Sequence, residues 1–89
     1  MERIRDRQTA FEAMEELKDR NKELIIHDFS TGESVLIRHH DYGKLSGWFL
    51  VSESGQIDTK DEGEVVGFIW KNRRFFNGWI DGTYSGVEL

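Results

Sequence analysis

The stretch Glu64–Asp81, EVVGFIWKNRRFFNGWID, decides how the rest of the chain is read. At a period of two it forms one long β-hairpin with Asn72-Arg73 at the tip. Counting outward pairs Lys71 with Arg74, Trp70 with Phe75, Ile69 with Phe76, Phe68 with Asn77, Gly67 with Gly78, Val66 with Trp79 and Val65 with Ile80. Side chains alternate across a strand, so these pairs sort into two faces. One face carries Val65, Ile69, Phe76 and Ile80 around the facing glycines. The other carries Val66, Phe68, Trp70, Phe75 and Trp79, with Asn77 as its one polar member.

Both faces are apolar, whereas a solvated antiparallel sheet alternates apolar and polar sides. Four large aromatics represent up to about 600–1,000 Å² of burial, and the largest exposed apolar patch of a typical monomer is about 300–600 Å². Something must therefore cover the second face: the sheet curling on itself, a partner, a ligand or a second copy. The glycine pair indicates a bend or the close approach of another backbone.

Length and composition set the limits. The 89 residues make a single domain. The chain has no cysteine, which excludes disulfides, thiolate zinc sites and cysteine nucleophiles, and it has no proline. A formal charge of −5 argues against broad phosphate binding and suits a protein partner with a basic surface. No apolar run approaches the length of a membrane span, and the N-terminus MERIRDRQ is charged, so no membrane association and a cytoplasmic location are expected.

Residues 1–8 read as a charged, solvated N-terminal arm. Thr9-Ala10-Phe11-Glu12 has capping-box spacing, and a helix to about Arg20 follows within the segment 9–22. Its acids come early and its bases late, and Phe11, Met14 and Leu17 form its apolar stripe. It is expected to be the only helix, docked on the hairpin face that holds Gly67, Gly78, Ile69 and Ile80.

Segment 24–81 reads as a β-meander. Leu24–Phe29 and Ser34–His40 are strands joined through Ser30–Glu33, with Leu24, Ile26, Val35 and Ile37 on the core side. Trp48–Glu53 is a third strand, Gln56–Thr59 a short return strand, and 82–89 a tail or short edge strand. The expected fold class is α+β: an N-terminal α-helix packed on a strongly twisted antiparallel β-meander of five or six strands, curling toward a half-barrel.

Motifs for chemistry are sparse. In the expected register His27 lies opposite Leu36, which turns His39 to the other face and leaves His40 roughly 13 Å along the sheet. Neither a zinc-binding spacing nor an EF-hand loop is present. The serines lack the flanking pattern of a nucleophile elbow, and no glycine-rich phosphate loop leads into a helix. No catalytic residue, metal or cofactor is expected.

The function these features point to is a small acidic, non-enzymatic protein-binding module, an inhibitor or adaptor of the kind phages and mobile elements encode. Its expected surface joins the acids Asp58, Asp61, Glu62 and Glu64 to the aromatics Trp70, Phe75 and Trp79 and the tip arginines Arg73 and Arg74. Alternatives are single-stranded nucleic-acid binding, with bases stacked on the hairpin aromatics, and a small-molecule or nucleotide binder. A homodimer that buries the aromatic face is a further alternative.

Overall fold

The computed structural model describes residues 1–89. Helix α1 spans Arg7–Arg20, followed by strands β1 (Leu24–Asp28) and β2 (Glu33–His40), a 3₁₀ turn at Gly43–Leu45, then β3 (Gly47–Ser52) and β4 (Gly55–Thr59). Helices α2 (Glu62–Lys71) and α3 (Arg73–Ile80) and strand β5 (Ser85–Glu88) complete the chain. The sheet is wholly antiparallel with strand order β4-β3-β2-β1-β5. The class is α+β with the N-terminal helix and antiparallel sheet expected. The sheet is open, not closed into a barrel.

The stretch Glu64–Asp81 is not a hairpin. It forms the two consecutive helices α2 and α3, so the β-meander ends at Thr59 and three helices cover the sheet, not one. A period of two puts apolar residues on both faces of this stretch, whereas at a period near 3.6 its most buried residues in α2 fall one turn apart. Val65 and Ile69, one turn apart, are fully buried, as is Phe76 in the next helix, with Phe75 buried beside it. Asp61 caps α2 by accepting from the Gly63 N–H at 2.8 Å, and Glu62 and Glu64 occupy the first turn, where the helix dipole favours acids. Asn72 breaks the run. Its backbone leaves helical geometry, and its side chain donates to the Phe68 carbonyl at 2.9 Å.

Helix α1 begins one turn earlier than its expected cap. Asp6 is the N-cap and Thr9 the third helical residue: the Thr9 N–H donates to the Asp6 carboxylate at 2.8 Å, and the Asp6 N–H donates to the Thr9 hydroxyl at 3.0 Å. Its buried stripe is Ala10, Ala13, Met14 and Leu17, while Phe11 is 41% exposed. The arm before α1 is docked, not solvated. Ile4 is buried, and the Asn77 amide of α3 bonds both its N–H (2.7 Å) and its carbonyl (3.1 Å).

Leu24, Ile26, Val35 and Ile37 form the core side of β1 and β2 as expected, joined by Trp48 and Leu50 of β3. The register is shifted, because Ser34 and not Leu36 lies opposite His27. The turn that sets it is built on Asp28. Its carboxylate accepts from the Ser30 N–H and hydroxyl, and its carbonyl accepts from Gly32, whose φ of +78° only glycine adopts readily.

All three helices lie on the core side of the sheet. Helices α2 and α3 carry the chain from β4 at one edge to β5 at the other, where β5 pairs with β1. The opposite side of the sheet has no covering layer, and Val87, Ile25, Leu36 and Val51 lie in register across it. No helix is long and apolar enough to cross a membrane.

Candidate functional site

The sheet ends at β4, and the physics of that edge defines the site. In the β3–β4 ladder Leu50 faces Ile57 and Ser52 faces Gly55. Antiparallel bonding then directs the backbone groups of Gly55, Ile57 and Thr59 toward β3 and those of Gln56 and Asp58 outward, to solvent. An edge strand with unpaired groups is a template for another strand. Here it is not blunted by a bulge, by proline or by covering chain.

Helix α2 runs antiparallel to β4 on the core side. Its start is tied to the end of β4 by the Thr59 hydroxyl, which donates to Glu64 at 3.3 Å. Between them lies a groove of about 280 Å³. Leu50 forms its floor, Ile57 (46% exposed) one wall, and the α2 stripe Glu64, Gly67, Phe68 and Lys71 the other. These four positions are spaced three and four residues apart and so share one helix face. The volume falls just below the roughly 300–1,000 Å³ of small-molecule pockets and suits a single apolar side chain.

Gly67 sits at the centre of the helical wall. A glycine inside a helix costs roughly 0.5–1 kcal/mol relative to alanine. Neither backbone geometry nor packing requires it here: its φ is not left-handed, and nothing lies within 4 Å of the position a Cβ would take. What the missing side chain does is keep the groove open.

The expected site residues are dispersed. Asp58 points to the outer side of the sheet, its carboxylate 3.4 Å from the His40 ring nitrogen. Asp61 is the α2 cap, Glu62 pairs with Lys18 at 3.0 Å, and Glu64 accepts from Thr59. These four acids flank the junction where β4 passes into α2, but Glu64 alone of them lines the groove. The aromatics do not join them. Trp70 is half-buried beneath the Arg73 guanidinium, 4.1 Å from its ring centre, Phe75 is core, and Trp79 packs on β5. Arg73 donates to the Trp70 carbonyl at 2.9 Å. No aromatic platform is exposed at this elbow.

Arg74 serves the fold. It bridges to Asp28 at 2.8 Å and to Glu33, and donates to the Tyr84 hydroxyl at 3.1 Å, joining α3 to the β1–β2 turn. Asp28 is 3% exposed, and the Ser30 hydroxyl, with Arg74 behind it, holds its carboxyl well below the usual carboxylate range. The same ion pair raises Arg74 above its ordinary value.

The histidines lie apart from the groove. His39 points to the core side, 4.9 Å between ring centres from Trp48, and burial, with Lys18 nearby, pushes it below the ordinary imidazole value. The Ser46 hydroxyl lies 2.6 Å from the Asp41 carboxylate and lowers its pKa. That hydroxyl is held by a carboxylate and not by an imidazole. No group of three or more histidine or acidic side chains is placed to hold a metal ion.

The groove residues Leu50, Ile57, Gly67, Phe68 and Lys71 fall outside the surface expected from sequence. Their signal was present in the spacing of 64, 67, 68 and 71, but it becomes visible only at helical period. No protein-family model, curated protein or solved structure matches the chain.

Proposed function

We propose that the chain is a non-enzymatic protein-binding module that takes an extended segment of a partner along β4, beneath α2. In this mode main-chain hydrogen bonds to a sheet edge supply affinity, and pockets for alternate side chains supply selectivity. One observation carries the reading: the free β4 edge runs beside a groove held open by a helix glycine that the fold does not need. Glu64 in the groove wall, the acids Asp58, Asp61 and Glu62 flanking the β4–α2 junction, and the net charge of −5 favour a partner with a basic surface. An inhibitor or adaptor acting in the cytoplasm fits this description.

The test compares three baits in nuclease-treated lysate: the wild-type chain, Gly67→Leu and Asp58→Pro. Leucine fills the groove. Proline removes an outward N–H while leaving the β3–β4 bonds in place. A protein held near stoichiometry by the wild type and lost from both variants supports the proposal. Equal retention by all three, or retention of nucleic acid alone in a run without nuclease, sinks it.

A further inference from the structure

We infer that the groove reads its partner segment in a fixed order: a basic residue, an apolar residue and an acidic residue at alternate positions, running N to C antiparallel to β4. This rests on the strand-addition reading above and adds direction and sequence to it.

The order follows from which side chains face each position. An added strand bonded to Gln56 and Asp58 turns three of its side chains to the core side, opposite Thr59, Ile57 and Gly55. The position opposite Thr59 meets Glu64, already oriented by the Thr59 hydroxyl at the start of α2. A lysine or arginine is complementary there. The position opposite Ile57 lies at the mouth of the groove, beside Ile57 and toward Gly67 and Phe68 of the α2 wall. Only an apolar side chain suits those walls. The position opposite Gly55 lies by Lys71, which takes part in none of the ion pairs of the protein. An acid is complementary there.

The spacing agrees. Seven helical residues separate Glu64 from Lys71, about 10 Å of rise. Four strand residues separate the outer two reading positions, about 14 Å. The flexible glutamate and lysine side chains span the difference.

Direction follows from the sheet itself. Every ladder in it is antiparallel, and antiparallel pairing is slightly the more stable per residue. A strand running antiparallel to β4 meets Thr59 first and Gly55 last, so its basic residue comes first and its acidic residue last. The two intervening side chains fall on the outer side, near Asp58 and Gln56, where their identity matters less.

The experiment is selection of a displayed library of seven randomised residues, flanked by glycine and serine, against the purified full chain at low salt. Winners are then measured as synthetic peptides by fluorescence anisotropy. The expected result is enrichment of basic–x–apolar–x–acidic in that order. Truncating the central apolar residue to alanine should weaken binding about tenfold. Reversing either charge should weaken it about three- to fivefold, and the double variant Glu64→Lys, Lys71→Glu should prefer peptides of reversed charge order.

Gly67→Leu and Asp58→Pro should abolish binding, with circular dichroism showing both folded. Winners with the opposite order, or none, that still fail on Gly67→Leu overturn the ordered reading and leave the groove in place. Winners indifferent to Gly67→Leu and Asp58→Pro, or no enrichment at all, overturn both.

Discussion

The indole of Trp79 occupies the space that a side chain on Gly86 would need. Trp79 comes from α3 and Gly86 from the core side of β5, opposite Ile26. The Arg20 guanidinium lies over the same ring, 5.7 Å from its centre, and pairs with Glu88 at 2.6 Å. One contact thus joins α1, α3 and β5. Gly86→Ala is expected to lower stability by about 1–3 kcal/mol through overpacking, measured by urea denaturation, and to weaken amide protection along β1 and β5. A midpoint equal to wild type would mean that the indole moves aside freely.

Two helical glycines should respond in opposite directions. At Gly67 a Cβ meets nothing, so Gly67→Ala is expected to raise stability by about 0.5–1 kcal/mol. At Gly78 a Cβ would lie 2.7 Å from the Tyr84 ring, so Gly78→Ala is expected to destabilise. The predicted order of thermal midpoints is Gly67→Ala, wild type, Gly78→Ala. A Gly67→Ala protein less stable than wild type would show that the glycine serves the fold and not the groove.

Acid should unfold this protein along a limb set by Asp28. Its folded carboxyl titrates below the ordinary range because the Ser30 hydroxyl, and then Arg74, favour the ionised form. Asp6 and Asp41 are shifted the same way by Thr9 and Ser46. The unfolded chain therefore takes up protons first as pH falls. The stabilisation is fully present above about pH 4 and is lost progressively below it. Denaturation midpoints collected from pH 7 to pH 2 should show that loss, and Asp28→Asn should flatten it while lowering the plateau. An Asp28→Asn profile parallel to wild type would remove Asp28 from this role.

The acids around the β4–α2 junction should separate into two kinds. Asp61→Ala removes the α2 cap and is expected to cost about 1 kcal/mol. Asp58→Asn touches an exposed side chain and should change stability by less than about 0.5 kcal/mol. Matching denaturation curves for the two variants would show that the cap contributes nothing.

The sheet was legible in the sequence for a physical reason. Leu24, Ile26, Val35 and Ile37 recur at every second position and are buried, while Ile25, His27 and Leu36 between them are only half-buried, because one side of that sheet is covered. The stretch Glu64–Asp81 was not legible as strand or helix from residue type, since its valines, isoleucines and aromatics favour strands while its packing is helical. Two features marked the period correctly: the excess of apolar residues on both supposed faces, and Asp61 followed by Glu62 and Glu64 ahead of them. The helix cap was misplaced because Thr9 bonds backward to Asp6 and not forward to Glu12. Of the acidic cluster read from the sequence, Glu64 alone lines the groove. The groove was hidden because it lies between elements far apart in sequence, and one of them was read at the wrong period.

The crossing of the sheet by α2 and α3 also imposes an order of assembly. The β1–β2, β2–β3 and β3–β4 pairings each join chain neighbours through short connections, and this meander forms from nearby contacts. The Leu24–Glu88 pairing joins opposite ends of the chain, and β5 reaches it only after both helices have been laid across the sheet. Closing so distant a contact is the slow entropic step. Opening should retrace that path, with β5 and α3 leaving first and baring the β1 edge while the meander persists. The protein would then pass briefly through a form in which the far edge of the sheet is β1, a strand that the folded protein keeps paired on both sides.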